Sequence, residues 1–366
     1  MILQSIALTN FKNITQANLE FSPKVNCLLG NNGMGKSNML DAIYFLSFTR
    51  SFGRLPDSLL IKRCEDYAIL RANYLRGDTA EEITAGLRRN ARKTIKRSGK
   101  EYKRISQHIG LIPAVMAAPD DLTLVMGGPE ERRRFLDMIV SQSDAAYLDA
   151  LIRYNQALEQ RNKMLRDGAA DITLYQTVEM MMEMAAETIC NRRREFCKRL
   201  SIILADYYGK ISGEAESVGL QYIQSGSEDG SFANALEHAR SRDIVLQHTT
   251  VGPHRDEVLF TIDDMPLRQT ASQGQAKTFV TALRFAQYVF LSENTHLHPL
   301  LLLDDIFDKL DAERVARIIE VVRGGNFGQI FITDTNRKHL DEIVAATGND
   351  YRMWHVENGG FTPIEL

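Results

Sequence analysis

The order of apolar and polar residues predicts strands at the start of the chain, followed by one helix and several hairpins. Short apolar or alternating runs indicate strands over residues 1–30, ending in the mostly apolar segment 25–29. Residues 37–48 carry apolar side chains at helical spacing, which predicts an amphipathic helix. Residues 60–105 are typical of β-hairpins, with a turn at Ser98 and Gly99.

Long helices are predicted after residue 128. Pro129, followed by two glutamates, suits a helix start, and helical spacing continues to about residue 212 with an interruption near Gly168. Two apolar stripes indicate either a short antiparallel arm or a compact helical subdomain packed on the sheet, and the pattern does not decide between them. The first stripe contains Leu148, Leu151, Leu158 and Leu165, and the second contains Val178, Met182, Ala185, Ile189, Phe196, Leu200, Ile203 and Tyr207.

Strands and helices resume after a polar stretch. Residues 213–243 contain Gly and Ser among polar residues and are expected to form a connection. We therefore predict an α/β fold in which a sheet-containing domain is split by a helical insertion. The expected segments are 1–128, the first part of that domain; 129–245, the insertion that forms a second lobe or a short antiparallel arm; and 246–366, the part that completes the domain.

Composition is ordinary for a globular protein and disfavours several classes. Apolar residues make up 44% of the 366 residues and charged residues 25%, enough for a sizeable core. No apolar run approaches the roughly 20 residues that span a bilayer, and the first residues do not resemble a signal peptide. The four cysteines form no CxxC pair, so neither a zinc site nor a disulfide framework is expected. We expect a cytoplasmic protein without a membrane partner.

The strongest motif is GNNGMGKS at residues 30–37, hereafter the phosphate loop, which matches the spacing G-x-x-x-x-G-K-[ST]. A strand is predicted before it and a helix after it, a context that disfavours a chance Gly-rich turn. In such a loop, backbone N–H groups surround phosphate oxygens, the lysine contacts the β- and γ-phosphates, and the Ser hydroxyl binds Mg²⁺. The predicted ATP-binding residues are Gly30, Asn31, Asn32, Gly33, Met34, Gly35, Lys36 and Ser37.

A second candidate site follows a run of four leucines. Residues 300–303 predict a parallel strand that is buried on both faces. Asp304 and Asp305 follow, and two buried carboxylates are costly unless a cation or a reacting group offsets their charge. We expect Asp304 to orient Mg²⁺ and Asp305 to polarise the attacking water, which makes Asp305 and Lys36 the predicted catalytic residues. The alternative is an acidic turn after a buried strand.

A third candidate site, hereafter the signature turn, consists of Ser272, Gln273, Gly274 and Gln275 and precedes a predicted helix. Ser272 and Gln275 have the spacing of a capping box, so a well-capped helix explains them. Gly274 would also let the backbone approach a γ-phosphate while Ser272 donates a hydrogen bond. Both interpretations can hold together.

These three motifs, in this order, resemble the ABC-type ATPases, and several segments are similar to the RecF family in particular. The similar segments are residues 2–52, 118–137, 251–257, 271–278 and 301–311. The resemblance implies an ABC-type ATPase head, a P-loop NTPase of two lobes with a short helical arm, that uses ATP and Mg²⁺. It implies that ATP joins two copies head to tail, each signature turn completing the nucleotide site of the other copy. The implied activity is a weak, DNA-stimulated ATPase, and Asp305 in place of the common Glu predicts slow turnover.

The same resemblance implies partners and a pathway. The partners would be DNA in single-stranded, gapped or junction form, together with RecO and RecR, and the pathway would be recombinational repair with the SOS response. The resemblance also assigns Asp311 to the D-loop, the segment that meets the other copy in such a dimer. Many ABC ATPases carry a histidine after the strand that follows the acidic one. Asp334 and Thr335 stand there in this sequence, and either could replace it.

A cluster of basic residues at 88–104, hereafter the basic hairpin, could contact DNA. It contains nine Lys or Arg residues, and only Glu101 opposes them. On a hairpin they could line a phosphate-contacting edge, and a solvated basic face explains them equally well. Because the net charge is −3, DNA binding must use such a local surface. The candidate DNA contacts are Arg92, Lys93, Lys96 and Arg97.

Three further groups have more ordinary interpretations. The clusters 132–134 and 192–194 contain three arginines each and are expected on exposed helix faces. His254 and Arg255 would either sense nucleotide or brace a lobe interface.

Two other functions compete with a DNA-repair ATPase. A structural DNA-organising ATPase of the SMC type is the main alternative, but it needs arms of hundreds of residues. A transporter ATPase would place its signature turn much nearer the phosphate loop.

Overall fold

The computed structural model describes residues 1–169, 171–213, 216–226, 230–308, 310–325, 327–345 and 350–364. The chain divides into two compact units. The first unit comprises Met1–Asp121, Lys210–Gly213 and Lys277–Leu366, and the second comprises Leu122–Gly209 and Glu214–Ala276.

A mostly parallel sheet of six strands forms the centre of the first unit. Its strands are β3 (Val25–Leu29), β8 (Ala114–Ala117), β12 (Leu300–Asp304), β13 (Ile330–Asp334), β14 (Tyr351–Glu357) and β15 (Gly360–Pro363). The order is β15-β14-β3-β13-β12-β8, with β15 alone antiparallel to its neighbour. The four leucines of β12 have no exposed area, so this strand is covered on both faces as predicted.

The second sheet of the first unit is antiparallel and contains the predicted hairpins. Its strands are β1 (Ile2–Phe11), β2 (Ile14–Glu20), β4 (Tyr67–Arg76), β5 (Thr79–Arg88), β6 (Thr94–Arg97) and β7 (Lys100–Glu101), in the order β2-β1-β4-β5-β6-β7. Ser98 and Gly99 connect β6 to β7 with φ of 45° and 79°. Positive φ at both positions is the geometry of a tight two-residue hairpin turn.

Helices of the first unit pack on these sheets. They are α1 (Lys36–Phe48), α2 (Asp57–Leu60), α10 (Ala312–Gly324) and α11 (Arg337–Val344), and most of α9 (Gln273–Thr295) also belongs to this unit. The predicted apolar face of α9 is buried, with Phe279, Leu283 and Ala286 fully covered. The predicted helix at 37–48 is confirmed as α1.

The second unit contains the predicted long helices and a small sheet. Its helices are α3 (Leu122–Met126), α4 (Pro129–Ser143), α5 (Ala145–Asp167), α6 (Ile172–Ser212, whose last residues belong to the first unit), α7 (Phe232–Leu246) and α8 (Leu267–Thr270). Its strands are β9 (Val218–Ile223), β10 (Glu257–Ile262) and β11 (Met265–Pro266), in the order β11-β10-β9.

Helices α5 and α6 form an antiparallel pair. Tyr147 near the start of α5 accepts a hydrogen bond from Arg193, and Arg161 near its end pairs with Glu179. Arg161 also binds Asp243 of α7, and Arg193 also binds Asp256 before β10. Arg161 and Arg193 thus join the helix pair to other elements of the second unit near both ends of α5. The pair therefore belongs to a packed helical subdomain.

Two predictions about this region were wrong, the first of them in part. The buried stripe of α5 includes Leu165 of the leucine stripe, but Leu148, Leu151 and Leu158 are only half-buried. The other buried residues are offset from the leucine stripe and include two tyrosines and an arginine: Tyr147, Ala150, Tyr154, Ala157, Arg161 and Met164. Residues 213–243 were expected to be a connection, but β9 and most of α7 lie there. The strand β9 forms there because it pairs with β10.

The boundary between units also differs from the expected one at residue 245. Pairing of β10 with β9 and β11 keeps residues 257–266 in the second unit, which extends to Ala276. The signature turn therefore belongs to the second unit, whereas the phosphate loop and β12 belong to the first.

Candidate functional site

The phosphate loop connects β3 to α1 in the first unit and is held from two sides. The Asn13 side chain donates a hydrogen bond to the Met34 carbonyl at 3.2 Å, and the Gly359 N–H donates to the same oxygen at 2.8 Å. Gly35 has φ of 116°, and a Cβ there would lie 2.9 Å from the Asn13 side chain. Only glycine fits this position without strain.

Lys36 lies inside the loop rather than in solvent. Its Nζ donates to the carbonyls of Gly30 and Asn31 at 2.6 and 3.2 Å and lies 4.0 Å from Asp305 Oδ1. The first turn of α1 contains no acidic residue, so no side chain of the helix itself offsets the positive end of its dipole. A cavity of about 170 Å³ opens here, lined by Asn31, Asn32, Gly33, Gly35, Lys36, Ser37, Asn38 and Asp305. These features fit a bound phosphate chain.

Ser37 and Asp304 meet although more than two thirds of the chain separates them in sequence. The Ser37 hydroxyl donates to Asp304 Oδ1 at 2.9 Å, and the Thr333 hydroxyl donates to the same oxygen at 2.8 Å. Burial raises the pKa of Asp304 to about 6. A hydroxyl and a carboxylate are oxygen donors of the kind that Mg²⁺ takes in phosphate-binding sites. The pair can therefore hold Mg²⁺ beside the phosphate loop.

Asp305 faces the same cavity from the end of β12. Its side chain is about a quarter exposed, and its backbone N–H donates to Thr333 Oγ1 at 3.0 Å. Burial is the main cause that raises the pKa of this carboxyl, and the neighbouring Asp334 acts in the same direction. A carboxylate near the cavity with a raised pKa can accept a proton from water.

The signature turn begins α9 with a complete capping box. The Ser272 N–H donates to Gln275 Oε1 at 2.7 Å, and the Gln275 N–H donates to Ser272 Oγ at 3.2 Å. Gln275 also donates to Glu216 Oε1 at 2.8 Å. Ser272 and Gln273 are exposed on the second unit. The capped-helix interpretation is thus confirmed, and the turn is accessible to another molecule.

Asp311 caps the start of α10 and is exposed. Its side chain accepts a hydrogen bond from the Arg314 N–H at 2.9 Å and pairs with the Arg314 guanidinium at 3.0 Å. The backbone hydrogen bond from Arg314 is the main cause that lowers the pKa of Asp311. These contacts explain Asp311 as the cap of α10.

Sequence reasoning missed His339, which completes the strand end at Asp334. His339 Nδ1 lies 2.7 Å from Asp334 Oδ2, although the histidine belongs to α11 and not to the strand. Asn13 was also missed as a support of the phosphate loop. Neither residue belongs to a contiguous motif, so only their three-dimensional contacts identify them.

The basic hairpin is confirmed as a hairpin, but two of its candidate DNA contacts are occupied within the first unit. Arg97 makes a two-pronged pair with Glu81 at 2.8 Å for each bond. Lys93 pairs with Asp57 at 3.1 Å. Arg92 and Lys96 are exposed.

The expectations for the arginine clusters were wrong in part. Arg132 is buried against Glu257, and Arg193 is buried against Asp137 and Asp256, so each cluster contributes a structural ion pair. His254 bridges the Tyr154 hydroxyl and the Thr249 carbonyl within the second unit, and burial lowers its pKa to about 4. These contacts brace the second unit itself.

Across the described ranges, no helix is both long and apolar enough to cross a lipid bilayer.

Comparison with known proteins gives one consistent family. The profile of the RecF/RecN/SMC N terminal domain matches residues 2–359. DNA replication and repair protein RecF of Parabacteroides distasonis is 48% identical over 365 residues, which cover all of both chains. The protein of the same name from Bacteroides fragilis strain YCH46 is 47% identical over 367 residues, covering 100% of this chain and 99% of the relative.

Solved structures agree with the sequence comparison. A structure described as the recombination mediator protein RecF-ATP in the RecFOR pathway superimposes with a TM-score of 0.88 at 28% identity, covering 100% of this chain and 98% of the other. An Smc head domain from Pyrococcus furiosus superimposes with a TM-score of 0.58 at 18% identity, covering 100% and 96% of the two chains. The second likeness concerns the fold alone.

Proposed function

The chain belongs to the RecF/RecN/SMC N-terminal domain family and, within it, to the RecF proteins, and on this premise we propose that it is an ATP-dependent DNA-binding protein of recombinational repair and replication restart. ATP drives two copies together head to tail on DNA, and slow hydrolysis separates them again. The observation that carries the proposal is the contact of Ser37 with Asp304 at the mouth of the phosphate loop. That contact joins the ATP-binding and metal-binding motifs in one site.

ATP binding and slow hydrolysis use residues of the first unit. The phosphate loop holds the phosphates, Ser37 and Asp304 hold Mg²⁺, and Lys36 turns from its backbone carbonyl partners to the phosphate chain. Asp305 polarises the attacking water. Its side chain is one methylene shorter than that of the common glutamate. The carboxylate then lies farther from the attacking water, which supports slow turnover. DNA binding accelerates this hydrolysis.

Dimerisation rests on the exposure of the signature turn. Ser272 and Gln273 lie at the surface of the second unit, and the two hydrogen bonds of the capping box support the start of α9. A preformed helix start with an exposed hydroxyl suits the γ-phosphate of a nucleotide held by another copy. Asp311, exposed at the start of α10, would face the other copy as the D-loop residue.

DNA binding uses the basic hairpin without reading sequence. Arg92 and Lys96 are the favoured phosphate contacts because their side chains are exposed. Lys93 and Arg97 shape the hairpin, since Asp57 and Glu81 already neutralise much of their charge. Single-stranded, gapped and junction DNA are the substrates that the family resemblance supports.

Partners and pathway follow from the family. The similar solved protein is described as a recombination mediator in the RecFOR pathway, which supports RecO and RecR as partners. A part in the SOS response is proposed from the family resemblance alone. A cytoplasmic location fits such a pathway.

Sedimentation tests this proposal directly. The unaltered protein should change from monomer to dimer when Mg²⁺, ATP and gapped DNA are present. Lys36→Met should abolish the dimer by weakening nucleotide capture. Ser272→Arg should abolish it while leaving nucleotide binding of the monomer intact, as followed with a fluorescent ATP analogue. A dimer that forms equally well without nucleotide would reject the proposal.

A further inference from the structure

The turn that carries Asp305, residues 305–308, begins with a residue in the left-handed backbone region. Asp305 has φ of 43°, and an aspartate adopts this region less readily than a glycine does. Two hydrogen bonds support the turn: the Asp308 N–H donates to the Asp305 carbonyl, and the Asp305 N–H donates to the side-chain oxygen Thr333 Oγ1. Strained backbone persists where surrounding contacts hold it, so side chains that pack on the turn matter.

His339 packs on this turn and on the neighbouring strand end together. Its ring meets the Phe307 ring edge to face, with centroids 5.0 Å apart and an angle of 62°. Its Nδ1 lies 2.7 Å from Asp334 Oδ2 at the end of β13. One imidazole from α11 therefore joins residues 305–308 to the strand that lies beside them.

Asp334 is a buried carboxylate at the end of β13 and needs hydrogen-bond donors there. It is only 6% exposed, and its negative charge acts on Asp305. The Asn336 N–H donates to Oδ1 at 2.9 Å, and His339 serves Oδ2. Removal of the imidazole would leave one buried carboxylate oxygen without this donor and would increase the repulsion that Asp305 experiences.

We propose that His339 is a positioning residue for ATP hydrolysis. It hydrogen-bonds Asp334 and packs against Phe307, so that Asp305 keeps its place 4.0 Å from Lys36 Nζ. The inference rests on the proposed function, because the position of Asp305 matters only if this site hydrolyses ATP.

The test compares turnover and nucleotide affinity in His339→Ala. We expect kcat to fall about tenfold or more, since small displacements of a reacting group have such effects, whereas the Kd for ATP changes less than about twofold. His339→Asn keeps a donor near the position of Nδ1 and should recover most of the turnover. Adding Asp334→Asn to His339→Ala removes the unpaired charge and should recover part of it. His355→Ala, an exposed histidine of β14, is the matched control and should behave like the unaltered protein.

Hydrogen exchange separates failure of this inference from failure of the proposed function. In His339→Ala without nucleotide, the amides of Asp305 and Asp308 should exchange faster, because their turn has lost its contact with the imidazole. Unchanged turnover together with unchanged exchange would overturn the role of His339, as would equal losses of kcat and ATP affinity. If the unaltered protein binds no ATP, the proposed function fails, and the exchange measurement alone decides whether His339 holds the turn.

Discussion

Replacing Asp304 by Asn should stabilise the nucleotide-free protein at neutral pH. Burial raises the pKa of Asp304 from 3.8 to about 6, so the folded chain holds its proton more tightly than the unfolded chain. The folded state then binds more protons between these values, and stability falls as pH rises through this window. Above it, the ionised carboxylate costs the fold about 3 kcal/mol, from about 1.4 kcal/mol for each pKa unit. Asn avoids this cost and can still accept hydrogen bonds from Ser37 and Thr333 through its amide oxygen.

The single tryptophan makes this stability difference measurable. Trp354 lies buried in β14, within the unit that contains Asp304, so its fluorescence reports the unfolding of that unit. Without nucleotide and metal at about pH 8, Asp304→Asn should melt higher by up to roughly 6–12 °C. The difference should shrink toward about pH 4.5, where the carboxyl of the unaltered protein is protonated. Mg²⁺ with ATP should raise the melting temperature of the unaltered protein but not that of Asp304→Asn.

Asp78→Asn is the control for this experiment. Asp78 is exposed in the turn between β4 and β5, and its replacement should leave the melting temperature unchanged at both pH values. An Asp304→Asn protein that is less stable than the unaltered one at about pH 8 would refute the reasoning. That result would mean that the fold stabilises the ionised Asp304 carboxylate of the unaltered protein even without a bound cation.

Three further predictions concern other parts of the molecule. Arg161→Ala leaves the buried carboxylates of Glu179 and Asp243 without their common partner. The free energy of unfolding of the second unit should fall by about 3–5 kcal/mol, as measured by urea unfolding with hydrogen exchange as the readout. Lys96→Glu should weaken binding of every DNA sequence alike in a fluorescence anisotropy titration and should lower the salt dependence by about one charge. Gly35→Ala should abolish ATP binding in calorimetry, because a Cβ there would meet Asn13.

Local sequence patterns predicted the elements well where spacing alone decides them. The helices of 129–212 and their break near Gly168 follow from apolar spacing, a proline start and a glycine stop. The leucine stripe of α5 was misleading because the buried face carries Tyr147, Tyr154 and Arg161, whose polar atoms find buried partners. β9 was missed because the strand is short and half-exposed, and it exists through pairing with β10.

The candidate site was predictable as far as its chemistry is contiguous in sequence. The phosphate loop and the signature turn each occupy consecutive residues. Ser37 followed from the spacing of the phosphate loop, and Asp304 followed from the cost of a buried carboxylate after the leucine run. Two other contacts depend on how separate segments pack: His339 with Asp334, and Arg97 with Glu81. The residue types alone do not predict such contacts.

Mixing two inactive variants tests most directly whether one nucleotide is shared by two copies. Lys36→Met keeps an intact signature turn, and Ser272→Arg keeps an intact phosphate loop, so a mixed pair would contain one complete site and one doubly defective site. Each variant alone should remain monomeric and should not hydrolyse ATP, whereas the mixture with DNA should regain dimers and a fraction of the unaltered turnover. If the mixture stays as inactive as its components, while each variant is folded and Ser272→Arg binds ATP, the signature turn does not complete the site of a second copy.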